Sequence, residues 1–440
     1  MKKNIVIAFS GQSSNDAISG LIAEWGAALS SAGLSMVHVT PEPADLQRAV
    51  KLLSAGQVSF AMTWLGIGQG LSVMLGPKQQ TQSAWGKVRM LASGRRPAKI
   101  DRQATNAWEY FRVPLLKFHG DLPAYFVDYH RDIPHNAVNL YHGTEFMHFR
   151  RRWIPDARAL MTQIPPLPLA PIERSKVNLS ARRKGKLVFI KNGNSPSELT
   201  RRWQEYLPAS IARMLVSMAE EITGPGCRPG ILYIGDFVAT FLGANSIDPD
   251  SARDLVVFFS AQLDDYLRRI KSRMIAESIL DLPVIVQGDS WNHVDFSGRQ
   301  AQWVKGQDFA STQRVFADEL GIIDMSPNTD TFPHDRVQRA AGSFATVLTN
   351  RQAWLKDSFP EFEKLTFEFE PQAIESRVAD AIARPDEYLE LGLAFGMRFR
   401  ELYPQAAFVQ RIVNLADLAT LQWSENKPPI QPFFAWRRHH

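Results

Sequence analysis

Eleven consecutive residues, Ser326-Pro327-Asn328-Thr329-Asp330-Thr331-Phe332-Pro333-His334-Asp335-Arg336, gather amide, hydroxyl, imidazole, carboxylate and guanidinium groups in one stretch. Arg336 can make a forked, charge-assisted contact to a phosphate. His334 and Asn328 can hydrogen-bond phosphate, ribose or sugar hydroxyls, and Asp335 can cap a helix or accept from a polyol. The flanks say where these groups sit. Ile322 to Met325 and Ala345 to Thr349 read as buried strands. Between them Val337, Ala340, Ala341 and Phe344 recur at i, i+3, i+4 and i+7, the apolar face of a helix. The loop therefore joins the carboxyl end of a strand to the positive end of a helix, where free backbone N–H groups favour an anion. A simple N-cap at Thr331 or Asp335 accounts for one polar residue here, not for the whole set.

A second group of candidates follows other strands. His119 and Asp121 lie in Phe118-His119-Gly120-Asp121-Leu122-Pro123, after the strand-like run Val113 to Phe118, and either could serve as a general base. Asp16 and His130 are alternatives, and Asp121 could instead cap a short helix begun by Pro123. Lys191, Asn192, Gly193 and Asn194, with Ser195, form a polar turn after a strand, suited to phosphate or to nothing more than reversing the chain. Trp291, in Gly288-Asp289-Ser290-Trp291, could stack on a base, although most tryptophans are core residues. The histidines show no metal-ligand spacing and the sequence has no paired cysteines. Gly66, Gly68 and Gly70 are not spaced as a dinucleotide fingerprint, and there is no nucleophile elbow or Walker loop.

The elements that must hold these residues alternate. Strands are expected at Ile5–Phe9, Met36–Val39, Val58–Thr63, Val113–Phe118, Ala137–Leu140 and Ala159–Thr162, with helices at about Asp16–Ser31 and Ala44–Ser54. Strands separated by helices of this length imply βαβ units and a parallel sheet. Four prolines between Ile164 and Pro171 make a linker. Beyond it strands are expected at Leu187–Ile190, Pro283–Gln287, Ile322–Met325 and Ala345–Thr349. Helices should dominate 198–280, with a break at Gly224-Pro225-Gly226, and 371–418. The Pro428, Pro429 and Pro432 tail should be extended. The division that follows is 1–163, a linker 164–185, a second domain 186–410 with a helical insertion, and a C-terminal helix and tail 411–440. Two α/β halves place a cleft between them, the natural site for a ligand.

The bulk properties agree. A chain of 440 residues suggests two domains, and 45% hydrophobic with 22% charged residues is an ordinary globular composition. No apolar run approaches the roughly 20 residues that span a bilayer. The short N-terminal apolar run does not read as a signal peptide, and the single Cys227 excludes an intrachain disulfide. Both suit a cytoplasmic protein. Net charge is +5, with basic clusters at Arg95-Arg96, Arg150-Arg151-Arg152 and Arg182-Arg183-Lys184. These suit a nucleotide diphosphate or the inner face of a membrane, or are plain solvated surface; no nucleic-acid-binding signature accompanies them.

Gly321-Ile322-Ile323-Asp324-Met325-Ser326-Pro327-Asn328, then His334-Asp335-Arg336-Val337 and Val347-Leu348-Thr349, resembles the donor domain of bacterial GT-B glycosyltransferases. The pattern is nearest the CgeB-like (spore-maturation-type) branch, with a GT4-like C-terminal domain. The resemblance extends loosely over 110–400. It implies an α/β fold of two Rossmann-like domains facing across a cleft, no required metal or cofactor, and a UDP- or GDP-linked sugar as co-substrate. The acceptor would be a glycan, a lipid-linked molecule or a protein, and the class is hexosyltransferase. It also implies that Lys191 and Arg336 neutralise the departing diphosphate, and that Asn328, His334 and Asp335 share donor binding with Lys191–Asn194. His119 and Asp121 fall on the acceptor side. Two glutamates usual in retaining members correspond to Thr331 and Arg339, and a usual small glycine corresponds to Phe344, which could narrow the donor pocket. A non-catalytic nucleotide-sugar-binding or scaffold protein, or an epimerase on the same fold, are the alternatives.

Overall fold

The computed structural model describes residues 4–10, 16–75, 103–131, 134–154, 160–224 and 233–425. The turn at 11–15, Arg95-Arg96, Pro225-Gly226, Cys227 and the tail prolines lie outside them. Eight strands fall in the first part: β1 Ile5–Phe9, β2 Ser35–Val39, β3 Val58–Trp64, β4 Ser72–Leu75, β5 Gln103–Asn106, β6 Leu115–His119, β7 Ala137–Tyr141 and β8 Leu160–Gln163. Six of them pair in parallel in the order β2-β1-β3-β6-β7-β8. The continuous apolar runs make this possible, because a parallel strand covered on both faces has no solvent side. β4 and β5 form a separate antiparallel pair.

The second part repeats the plan with β9 Leu187–Ile190, β10 Ile285–Gln287, β11 Gln302–Val304, β12 Gly321–Ile323, β13 Thr346–Asn350 and β14 Thr366–Phe367. Their parallel order is β11-β10-β9-β12-β13-β14. Counted within this half, that is 3-2-1-4-5-6, the Rossmann order, and the order reverses between β9 and β12. The α/β fold of two parallel, Rossmann-like sheets is therefore present.

Helices do not stay with their own sheet. Leu199, Trp203, Leu215, Met218, Val238 and Leu263, from the helices between β9 and β10, share a core with Leu122, Tyr141, Phe149 and Trp153 of the first half. The helix Gln405–Glu425 likewise lays Phe408, Ile412 and Leu415 on Val6, Phe60, Leu116 and Val138 of the first sheet. Burying each of those side chains is worth about 1.5–3 kcal/mol.

The proline segment 164–171 forms no regular helix or strand, but it is not a free spacer. Leu167 N donates to Gln338 Oε1 at 2.9 Å and Ile172 N to Gly342 O at 3.0 Å, strapping the segment along the helix Asp335–Ser343. A Cβ on Gly342 would lie 1.8 Å from Leu169 O, so only glycine permits this approach.

Candidate functional site

Lys191 follows β9, and the loop Asp324–His334 follows β12. These are the two strands at which the second sheet changes direction, the place where open α/β sheets bind ligands. Each turn is fixed by close packing. Gly193 lies so near the buried Trp291 that a Cβ would sit 2.0 Å from its ring, and Trp291 Nε1 donates to Lys191 O at 2.8 Å. Trp291 is thus a core residue that shapes the turn. Asn192 Oδ1 accepts from Asp289 N at 3.0 Å, Asn194 is exposed, and Ser195 caps the helix Pro196–Tyr206 through Glu198 N.

Lys191 forms no ion pair among the described residues. Burial, with Arg336 and Arg268 nearby, pushes its ammonium down to about 8. It borders a cavity of 390 Å³ lined also by Asp121, Tyr125, Asn192, Asn194, Arg268 and Arg269. This cavity separates the first half from the second, with the long helix Arg253–Ser278 as one wall.

On the other side of Lys191, Asp324 is completely buried at the end of β12. Its Oδ1 accepts from Arg336 Nη1 at 3.3 Å and from His334 Nδ1 at 2.8 Å, while His334 Nε2 meets Asp335 Oδ1 at 2.9 Å. Burial pushes the Asp324 carboxyl up, but His334 and Arg336 more than offset this and hold it below the usual range. For His334 the balance is mirrored: burial pushes it down, and Asp324 and Asp335 raise it above an ordinary histidine. The structure thus brings Lys191, His334, Asp335 and Arg336 together, with Asp324 beneath them.

Other expected contacts do not reach the cleft. His119 is the last residue of β6 rather than part of a loop, and is 1% exposed. Its Nε2 pairs with Asn139 Oδ1 at 2.9 Å, and burial holds the ring well below the normal range. It lacks access to an acceptor in this arrangement. His130 is buried against Tyr141 in the same way. Asp121 does border the cavity, its carboxylate bonded to Arg268 Nη1 at 3.0 Å.

Asn328 is also internal. Its Oδ1 accepts from Lys271 Nζ at 2.6 Å and its Nδ2 donates to Asp264 Oδ1 at 2.7 Å, so its side chain is committed within the protein. Phe344 ends its helix in the left-handed region (φ 57°, ψ 31°), under the Arg400 guanidinium and away from the cavity lining. It does not narrow the cleft. Of the basic clusters, Arg150 is buried, and Arg182 is a buried structural residue donating to the carbonyls of Phe316, Ala317, Ser343 and Phe344.

Reasoning from sequence missed the polar row Asp264, Arg268, Lys271 and Ser272 on the long helix, of which Arg268 and Ser272 line the cavity while Asp264 and Lys271 are buried behind it. Their i, i+4, i+7, i+8 spacing on an otherwise apolar helix face was the available signal. It also missed Glu145, which is 2% exposed and reaches across from the helix Thr144–Trp153. Glu145 Oε1 accepts from Asp330 N at 2.8 Å and Thr331 N at 3.1 Å, and Oε2 from Thr331 Oγ1 at 2.8 Å. Gln163 Nε2 donates to Thr331 O at 2.9 Å. Nothing local in the sequence pairs residues this far apart. Arg339 makes a similar crossing to Glu24, 2.5 Å away. Among the described residues no cluster of His, Cys, Asp or Glu could hold a metal ion.

No family model and no curated protein matches the sequence. Among solved structures the chain is similar to T4 phage BGT in complex with its UDP-glucose substrate, at 8% identity and TM-score 0.47, covering 94% of this chain and 99% of that one. It is similar to an alpha-glucosyltransferase in complex with UDP and a 13-mer DNA, at 7% identity and TM-score 0.47, over 94% and 99%. It is also similar to a sucrose-phosphate synthase from Thermosynechococcus elongatus, at 11% identity and TM-score 0.43, over 94% and 98%. At these identities no residue role passes from those proteins to this chain.

Proposed function

We propose that the protein is a glycosyltransferase of the GT-B type, moving a sugar from a nucleotide donor to an acceptor hydroxyl. One observation carries the reading. Lys191, without a carboxylate partner, stands at the reversal point of a Rossmann-ordered sheet, beside Arg336 and the N-terminus of the helix Asp335–Ser343. A diphosphate there meets fixed positive charge where negative charge develops as the sugar leaves. Lys191, His334 and Arg336 supply the role that a divalent ion takes elsewhere, so the reading needs no metal. The nucleotide is UDP or GDP.

The acceptor enters from the side of Asp121 and Tyr125, and Asp121 is the candidate base. Its pairing with Arg268 orients the carboxylate. Thr331 and Arg339 are engaged by Glu145 and Glu24 of the first half, so a retaining mechanism relying on carboxylates at those two positions lacks them. The reading is therefore inverting transfer to a glycan, lipid-linked or protein acceptor. The CgeB-like assignment rests on the Ser326–Val337 pattern. No described helix is long and apolar enough to cross a membrane; a cytoplasmic enzyme able to work at a membrane surface is the companion proposal.

Calorimetric titration with UDP, GDP and their sugars tests the claim. Micromolar binding of one family, lost in Lys191→Ala, is expected; no binding across the panel sinks it. A second reading, a nucleotide-sugar-binding protein without catalysis, is favoured by the engagement of Asp121 with Arg268. It predicts binding with no donor hydrolysis and no transfer.

A further inference from the structure

The two nitrogens of one imidazole ring each face a carboxylate oxygen here. His334 Nδ1 is 2.8 Å from Asp324 Oδ1, and Nε2 is 2.9 Å from Asp335 Oδ1. A neutral ring has one N–H and one lone pair, so one of these contacts would set a lone pair against an anionic oxygen. Both contacts are satisfied only when both nitrogens carry protons. His334 also holds the N-cap position of its helix without making a side-chain cap bond, so the ring is not spent on capping.

Beside it, Arg336 Nη1 lies 3.4 Å from His334 Nδ1, and both address the same Asp324 oxygen. Two cations at that distance repel unless an anion is shared between them. Asp324 is fixed for this task by the neighbouring strand β13: its N donates to Leu348 O at 2.7 Å, and Thr349 Oγ1 donates to its Oδ2 at 3.4 Å. We infer that Asp324 is the positioning residue of a two-cation fork: shared between the His334 imidazolium, whose two N–H groups are spent on Asp324 and Asp335, and the Arg336 guanidinium, it fixes Arg336 so that its remaining N–H groups, with Lys191, grip an anionic phosphate. This rests on the nucleotide reading above only for the identity of the anion.

Other charged and titratable groups surround the ring. Asp335, Arg336 and Arg339 come from its own helix, and Asp324 from β12. Lys191 stands across from β9, and His142 comes from the first half, where burial pushes it down to about 4. Glu24 acts through Arg339 and Asp335. His142 is therefore neutral at physiological pH, and the two carboxylates dominate the field at His334.

Following the His334 ring protons by NMR against pH in the full-length protein tests the fork, with UDP titrations on the same samples. The wild-type midpoint is expected above 6.5. Asp324→Asn should lower it by at least one unit, a tenfold loss of proton affinity, and weaken UDP binding at pH 7 at least tenfold. Asp335→Asn, at a side chain 42% exposed, should lower the midpoint as well and serves if the first variant does not fold. A wild-type midpoint at or below 6.5, or one unmoved in both variants, overturns the inference. If the wild-type protein ignores UDP while His334 titrates as expected, the fork stands and the nucleotide reading fails.

Discussion

Lys271 Nζ donates to Asn328 Oδ1 at 2.6 Å, joining the buried face of the long helix Arg253–Ser278 to the loop that follows β12. The lysine is 3% exposed, and burial pushes it down to about 8, against the opposing pull of Asp264. Its folded value lies below the unfolded value of about 10.4. The unfolded chain therefore binds the extra proton between those values, and stability rises with pH from about 8 to about 10.4. Below pH 8 the penalty, on the order of 3 kcal/mol, is fully present. Urea unfolding at pH 7.5, 8.5 and 9.5 should show this rise, flattened in Lys271→Met. An unchanged slope in the variant would assign the effect to other groups.

Lys191 sets a second pH dependence, on binding. It is cationic below about 8 and loses its charge above. Nucleotide affinity should fall as pH rises through 8. In Lys191→Arg the fall should vanish, because a guanidinium stays charged. Dissociation constants from pH 6.5 to 9.5 for both proteins decide it.

Glu145 satisfies two backbone N–H groups and one hydroxyl of the other half. Glu145→Ala leaves those part-buried donors without this partner and should cost about 2–4 kcal/mol. The loss should appear as a lower unfolding midpoint. Thr331→Val removes only the hydroxyl and should cost about 1 kcal/mol. Equal losses in the two variants would mean that the N–H groups find other partners.

Gly342→Ala places a methyl against the Leu169 carbonyl. The strap must shift, at a cost of about 1–3 kcal/mol. The same substitution at Gly243, where a Cβ meets nothing, should stabilise by about 1 kcal/mol through helix propensity. Thermal melts of the pair separate the steric effect from propensity.

The strands were legible wherever an apolar run of four or more residues preceded a polar turn, as at Ile5–Phe9 or Leu187–Ile190. β11 and β14 were not: Gln302-Trp303-Val304 is largely exposed, and Thr366-Phe367 is two residues long, so neither carries a pattern of its own. Within the site, Lys191, His334 and Arg336 could be read because each follows a strand or opens a helix. Asn328 could not be read correctly. Its polarity is spent on Lys271 and Asp264, partners more than fifty residues away in the chain. Asp324 hid inside an apolar strand reading, where a lone carboxylate looks like an interruption rather than a foundation.

The helix Gln405–Glu425 covers the first sheet, and the helices before β10 complete the core around Trp153. During synthesis, then, the earliest strands leave the ribosome long before their cover exists. Their apolar surface stays open until the helix Gln405–Glu425 emerges, so this stretch of the nascent chain is one that a holding chaperone would recognise. A fragment ending at Gln163 should precipitate for the same reason.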